Sequence, residues 1–214
     1  MKYLYKFLRA GLKSNHDGSE WTVGKWRTVP APTKECVGLN ASEYIQQALS
    51  YVRQPVLAKV ECGGKIIKGS EKWTCEKMRI VAVADWTSEH SLKMAIFSAR
   101  SCLDKFENKY PGNDKPRKAI EAAEAVLAND TAKNRKAARI AADAAYAAYA
   151  AYAAADAADA DAYADAYTAY AADDAAAAAY AAYVAAADDV AAADDAKRSI
   201  HYYCLSIVTW RTME

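Results

Sequence analysis

The residues best suited to chemistry in this sequence are cations that lie close to tryptophans. Lys72 and Lys77 flank Trp73, and Arg79 follows. Cations bind phosphate oxygens, and an indole ring can stack on a base, so this combination suits a nucleotide or a nucleic acid. Solvated lysines on a strand edge are the alternative explanation. The candidate ligand-binding residues are Trp26, Lys72, Trp73, Lys77, Arg79 and Arg117.

Groups for proton transfer or metal binding are few. The sequence has three histidines and none of the common nucleotide-binding, hydrolase or metalloprotease motifs. Asp85, Glu89 and His90 could hold a metal, although residues of this type are also favoured in a first helical turn by the helix dipole. The aspartates of the alanine-rich part are better explained as helix caps and solvated groups than as acids or bases. We therefore predict no catalytic residue, no metal and no cofactor.

The five cysteines are scattered and form no C-x-x-C pair. This spacing supports neither a zinc site nor a redox motif, and it predicts small buried apolar side chains in a reducing cytosol. Lys2, Lys6 and Arg9 interrupt any apolar run at the N-terminus, which argues against a secretory signal. No window has the length and apolarity of a membrane span. The sequence therefore predicts a cytoplasmic protein without a membrane partner.

Charge is divided unevenly along the chain. Residues 1–136 carry a net charge of +9 and residues 137–214 a net charge of −8, which together give the overall +1. Such a division indicates either that the two parts attract each other or that the basic part binds an anionic partner.

Extended segments dominate the first 84 residues. Apolar and polar residues alternate over 3–8, 56–60 and 78–84, as expected of strands, and Gly63-Gly64 is a hairpin signal. Asn40 and Glu43 have the spacing of a capping box before a helix that Pro55 ends. We predict a small α+β domain at 1–84.

The remainder, 85–214, has the pattern of helices. Apolar residues from Leu92 to Phe106 form one stripe, and breaks follow at 110–114 and 129–131. Of the 60 residues in Ala137–Ala196, 36 are alanine. A single helix of that length would span about 90 Å. Because aspartate favours N-caps, we expect several antiparallel helices, with restarts near 156–161, 173 and 188. The predicted fold class is α+β, with the N-terminal domain followed by an alanine-rich antiparallel helical bundle at 85–214.

The helical part contains a recognisable segment. A tryptophan-led helix ends in Leu103-Asp104-Lys105-Phe106, the segment Pro111–Ala123 reads PGNDKPRKAIEAA, and the alanine tract follows Arg135. In these features 85–214 resembles the alanine-rich immunity protein family of toxin–immunity loci. The resemblance implies a helical protein that works by binding.

The first part resembles a small domain of unknown function that recurs in phage proteins. The residues that carry this resemblance are Cys36 to Glu43, Ala58 to Val60 and Lys77 to Ile80. Asn40 stands near the place of that family's usual histidine, which argues against a histidine-dependent activity. A phage-type domain joined to an immunity-type part implies a viral protein that blunts host defence.

We therefore expect a non-enzymatic binding protein of immunity or anti-defence type. Its partner would be a protein toxin or effector, or a small anionic nucleotide-like signal that it sequesters. The protein could also form a homo-oligomer. The alternatives are a nucleotide-modifying enzyme in the N-terminal domain and a purely structural alanine-rich helical protein.

Overall fold

The first part of the chain forms an antiparallel sheet of five strands. The computed structural model describes residues 3–141 and 190–212. The strands are β1 (Leu4–Leu8), β2 (Arg27–Thr28), β3 (Leu39–Ser42), β4 (Val56–Lys68) and β5 (Lys72–Asp85). One short helix, α1 (Ile45–Tyr51), lies between β3 and β4.

Four of the strands pair in a closed ring. β1 pairs with β4 on one side and with β3 on the other, β3 pairs with β5, and β5 pairs with β4. The short strand β2 adds to β5 through Arg27 opposite Met78. Since β1 is flanked by strands on both sides and four of its five residues are buried, it is a central element of this part.

Apolar side chains from all the long strands form the core inside this ring. They include Leu4 and Leu8 of β1 and Val60 of β4, each at most 1% exposed. Met78 and Ile80 of β5 are fully buried in the same cluster, against which Trp73 also packs. Burial does not alternate strictly: four of the five residues of β1 and five of the first six of β4 are buried, because both faces of these segments are covered.

Gly63 and Gly64 lie inside β4, so the predicted hairpin turn at this position is wrong. The β4–β5 register shifts between Gly63 and Ile66, and the chain turns at 69–71 instead. Gly64 has φ +71°, and a Cβ there would lie 2.6 Å from the Glu76 carboxylate. A glycine in a strand commonly marks a bulge of this kind, because only glycine adopts such a φ without strain.

The predicted helix after Asn40 exists, but its cap was placed too early. Asn40 lies in β3, and α1 begins at Ile45 behind Tyr44. The capping box is formed by Tyr44 and Gln47, whose side-chain oxygen accepts from the Tyr44 N–H at 3.3 Å. The side chain of Asn40 has other partners, described below.

The C-terminal segment belongs to the same compact unit as the sheet. The chain divides into Met1–Thr87 with Cys204–Glu214, and Ser88–Tyr203. Arg211 and Val83 exchange two backbone hydrogen bonds of 2.8 and 3.1 Å, and Trp210 lies 6.2 Å from the ring of Tyr5. The last helix ends at Ile207, before Trp210.

The described residues of the second unit form helices. These are α2 (Ser88–Lys109), α3 (Lys115–Ala128), a helical stretch at 132–141, and the last helix, Val190–Ile207, as far as Tyr203. The predicted stripe of α2 is confirmed, because Leu92, Ile96 and Leu103 pack with Ile120 of α3. The predicted breaks at 110–114 and 129–131 are also confirmed.

The predicted fold class is wrong. In the described part of the chain a five-stranded antiparallel sheet comes first and several helices follow it, so the chain is not a helical bundle. The sequence argument gave too much weight to alanine composition, which favours helix but does not specify what a helix packs against. The expected restarts at 156–161, 173 and 188 fall outside the described residues. Within the described ranges, we find no helix with the length and apolarity needed to cross a membrane.

Candidate functional site

A cavity of about 800 Å³ opens on the sheet of the first unit. This volume is within the usual range for small-molecule sites. Its walls come from β1, the turn at 14–17, β2, the loop at 36–38 with β3, and α1. The lining residues with chemical potential are Lys6, His16, Asp17, Trp21, Arg27, Asn40, Tyr51 and Lys72.

Lys6 is the unusual residue of this cavity. It is the only charged residue of β1, it is partly buried, and its neighbours Tyr5 and Phe7 are buried. Its ammonium lies 4.5 Å from the centre of the Trp21 ring, and no acceptor for it exists among the described residues. Burial, and then the nearby Arg27 guanidinium, lower the pKa of Lys6 to about 8, although Asp17 opposes the shift.

Arg27 approaches the same indole ring as Lys6. Its guanidinium carbon lies 4.9 Å from the centre of the Trp21 ring. One of its terminal nitrogens donates to the Ser19 hydroxyl and lies 3.5 Å from Asp17. Hydrogen bonds from Ser19 and Ser14, together with the charge of Arg27, hold the pKa of Asp17 well below its usual range. Asp17 therefore remains a carboxylate and helps to fix the guanidinium in place.

Trp21 carries a further unsatisfied donor. Its side chain is 6% exposed, and its indole N–H is buried without an acceptor in the part of the chain that the structure describes. A buried donor without a partner is costly, typically by about 1–3 kcal/mol. Two cations thus approach one ring, and the same ring carries a buried donor.

The loop at 36–38 is held against β5 by a small hydrogen-bond network. The Thr74 hydroxyl accepts from the Cys36 N–H at 2.9 Å and donates to the Asn40 side chain at 2.7 Å. The Asn40 amide nitrogen donates to the carbonyls of Gly38 and Cys36. Since both ends of the Asn40 amide are engaged, its role is to shape the cavity wall.

An aromatic ring and a lysine stand at another wall of the cavity. The Lys72 ammonium lies 3.3 Å from the centre of the Tyr51 ring, and the Tyr51 hydroxyl donates to Glu71 at 2.6 Å. Burial, followed by this bond to Glu71, raises the pKa of Tyr51 to about 12. Tyr51 is 46% exposed, although Lys72 covers one face of its ring.

Of the six predicted site residues, Lys72 lies in the cavity lining. Arg79 is paired with the buried Glu61 at 2.6 Å and lies over the ring of Trp26, which packs near Gly63. Trp73 packs against the core, under Lys68.

Lys77 is exposed on β5, and Arg117 lies in the second unit, where it pairs with Glu107 at 2.5 Å. The cavity therefore does not include Trp26, Trp73, Lys77 or Arg79, and Arg117 belongs to the other unit.

The sequence argument missed Lys6, Trp21 and Arg27. The available signal was a lone lysine between aromatic residues in a strand whose other positions are apolar. A cation in such a strand is rare unless it has a partner or a function. Trp21 and Arg27 gave no comparable signal, because the segment that holds them has little regular structure.

The expectation of isolated cysteines is wrong for two of them. Cys62 of β4 and Cys75 of β5 form a disulfide with their Cα atoms 5.9 Å apart. The spacing gave no hint, because the strand register and the bulge bring these positions together. Cys36 is exposed and Cys204 is buried, and both are free thiols.

The proposed metal set at Asp85, Glu89 and His90 finds no support. Asp85 pairs with Arg211 and Glu89 with Lys93, each at 2.6 Å. Across the described ranges, no group of three or more histidine, cysteine or acidic side chains is placed to hold a metal ion. His201 is buried.

Comparison with known families adds one match. Residues 2–91 match a domain of unknown function, DUF7666. Every residue that lines the cavity, from Tyr5 to Lys72, lies within the matched range. The comparisons found no match among curated proteins and none among solved structures. The cavity is thus part of the domain that the match defines.

Proposed function

We propose that the first unit binds a small anionic, nucleotide-like molecule in this cavity, and that the protein acts by sequestering that molecule. The observation that carries the proposal is the meeting of Lys6 and Arg27 at the Trp21 ring. An ammonium without an acceptor, placed beside a second cation, is unfavourable in the free protein. A ligand of opposite charge would offset this cost, and groups with perturbed pKa values cluster at functional sites.

Charge and shape both support an anion. The lining contains Lys6, Arg27 and Lys72 against the single carboxylate of Asp17. The exposed ring of Tyr51 offers a surface for a planar group, while Lys6 and Arg27 offer donors for a phosphate. A nucleotide has both parts, and the cavity volume is sufficient for one.

The biological setting of the proposal is immunity or anti-defence in the cytoplasm, as the two sequence resemblances imply. In a reducing cytoplasm the Cys62–Cys75 disulfide of the structure would be opened. The hairpin that these cysteines join is also held by ladder pairs on both sides of them, including Glu61 opposite Arg79 and Ile67 opposite Thr74.

Binding of a nucleotide is expected to weaken as pH rises through about 8. Lys6 then loses its proton and its attraction for the ligand, with the pKa of about 8 setting the midpoint. With a cyclic mononucleotide, whose phosphodiester charge is constant here, affinity should fall about tenfold between about pH 7 and about pH 9.5. Isothermal calorimetry across this pH range measures the affinity. Affinity that is flat with pH would exclude Lys6 as a ligand contact.

The same samples distinguish sequestration from catalysis. A nucleotide-modifying enzyme is the second candidate, because the pKa of Lys6 lies near the range of a general base. Under sequestration, chromatography recovers the nucleotide unchanged after long incubation. Release of an altered nucleotide would favour the enzyme.

Lys72 and Lys77 provide a matched pair of variants. Both are lysines of β5, but only Lys72 lines the cavity. Lys72→Ala should weaken nucleotide binding by about 1 kcal/mol, since it removes a charged neighbour at the cavity wall. Lys77→Ala should leave affinity unchanged. Equal losses in the two variants, measured by calorimetry at one salt concentration, would indicate a diffuse surface effect and contradict the cavity as the site.

A further inference from the structure

Lys6 has the surroundings of a reactive amine. It lines a cavity that a ligand can enter, and its nitrogen has no hydrogen-bond acceptor among the described residues. Arg27 lies over the same ring, so a second cation stands close to the amine. A lysine that is desolvated or placed near another cation is activated as a nucleophile toward carbonyl groups.

The charged groups around Lys6 favour its neutral form. Burial and Arg27 lower its pKa to about 8, and the carboxylate of Asp17 offsets only part of this shift. The other titratable groups that line the cavity are Tyr5, His16, Cys36, Tyr51 and Lys72; none of them is a carboxylate. With a pKa near 8, about a tenth of Lys6 is neutral at pH 7, far more than for an ordinary lysine.

We propose that Lys6 captures the aldehyde or ketone group of an anionic ligand as a reversible imine, while Arg27 binds the ligand's phosphate. This deepens the proposed function and rests on it for the phosphate site. The neutral amine attacks the carbonyl carbon, and a C–N bond forms in a carbinolamine. Loss of water, which takes the carbonyl oxygen and the two amine protons, leaves the C=N bond. The step needs no oxidant or reductant, and hydrolysis reverses it.

The chemistry defines the ligand class. Phosphorylated aldehydes qualify, and so do sugar phosphates with a free reducing end, whose ring opens to an aldehyde. A nucleotide whose ribose carries a base at C1′ has no free carbonyl and would bind without forming a bond. Covalent capture suits sequestration, since an imine adds to the lifetime of the complex without turnover.

The test uses pyridoxal 5′-phosphate as the probe, with unphosphorylated pyridoxal for comparison. The full-length protein is treated with substoichiometric probe, reduced with borohydride, digested and analysed by mass spectrometry. We expect Lys6 to be labelled about tenfold or more faster than the exposed Lys25, because an activated lysine reacts preferentially. Lys6→Arg should remove the adduct while keeping the positive charge.

Arg27→Gln separates the two parts of the proposal. In the wild-type protein the phosphorylated probe should label Lys6 about tenfold faster than pyridoxal, and this preference should be lost in Arg27→Gln. Labelling of Lys6 no faster than Lys25 would overturn the inference. If calorimetry then shows that inorganic phosphate or a nucleotide still binds, the proposed anion site stands and only imine formation by Lys6 is excluded. Preferential labelling of Lys6 by both probes alike would overturn the phosphate site and leave the reactive amine.

Discussion

Replacing Lys6 by methionine is expected to stabilise the protein while it weakens anion binding by about tenfold, the loss also expected when Lys6 is deprotonated. The ammonium of Lys6 is partly buried and has no acceptor in the described structure, so folding removes it from water without a matching gain. Methionine has a similar length and fills the same space beside Trp21. We expect the free energy of unfolding at pH 7 to rise by about 1–3 kcal/mol, since the cation–π contact with Trp21 recovers part of the cost in the wild type.

The pH dependence of this gain is a separate check. The pKa of Lys6 is lowered from 10.5 to about 8 on folding, so between these values the unfolded chain binds more protons than the folded one. Wild-type stability from this group should therefore increase with pH across that window. The difference between Lys6→Met and wild type is then largest below pH 8 and disappears above about pH 10.5.

Lys25→Met is the matched control, because Lys25 is exposed and does not line the cavity. It should change neither stability nor nucleotide affinity. Urea unfolding followed by tryptophan fluorescence gives the stability, and calorimetry gives the affinity. A loss of stability in Lys6→Met would mean that the lysine serves the fold, which would sink the argument for a ligand site.

Gly38→Ala is expected to be the most damaging small substitution in the cavity wall. Gly38 has φ +149°, and a Cβ there would lie 2.9 Å from the Thr74 methyl group and 3.2 Å from the Cys75 carbonyl oxygen. Thr74 cannot move away easily, since it is fully buried and its hydroxyl bonds both Cys36 and Asn40. Backbone strain and overpacking together should cost about 2–4 kcal/mol.

Gly24→Ala provides the comparison for Gly38→Ala. Gly24 also has a positive φ, +78°, but nothing lies within 4 Å of the added Cβ. This variant should lose only about 1 kcal/mol from the backbone conformation. Nucleotide affinity, measured below the unfolding transition, should fall in Gly38→Ala and remain unchanged in Gly24→Ala. Equal losses of stability in the two variants would contradict the close packing of the loop on β5.

Local patterns predicted the elements where burial and periodicity coincide. The alternation at 3–8 and 78–84 corresponds to β1 and to part of β5, and the stripe from Leu92 corresponds to α2. Local signals failed where two structures share one signature. A glycine pair fits both a hairpin turn and a bulge, and the pairing of β4 with β5 selected the bulge. Asn40 fits both a cap and a strand, and its bonds to Thr74 and Gly38 placed it in a strand.

The sequence by itself determined β1, parts of β4 and β5, the helices of 88–128, the uneven charge and the lack of familiar catalytic motifs. These properties depend on residue type and on spacing along a few turns or pleats, which short-range forces decide. Only the tertiary structure decided which cations form a site. Lys6 and Arg27 reach the same ring of Trp21 because β1 and β2 are held by different parts of β4 and β5. The lowered pKa of Lys6 follows from this tertiary packing, since burial and a neighbouring charge exist only after distant segments have packed together.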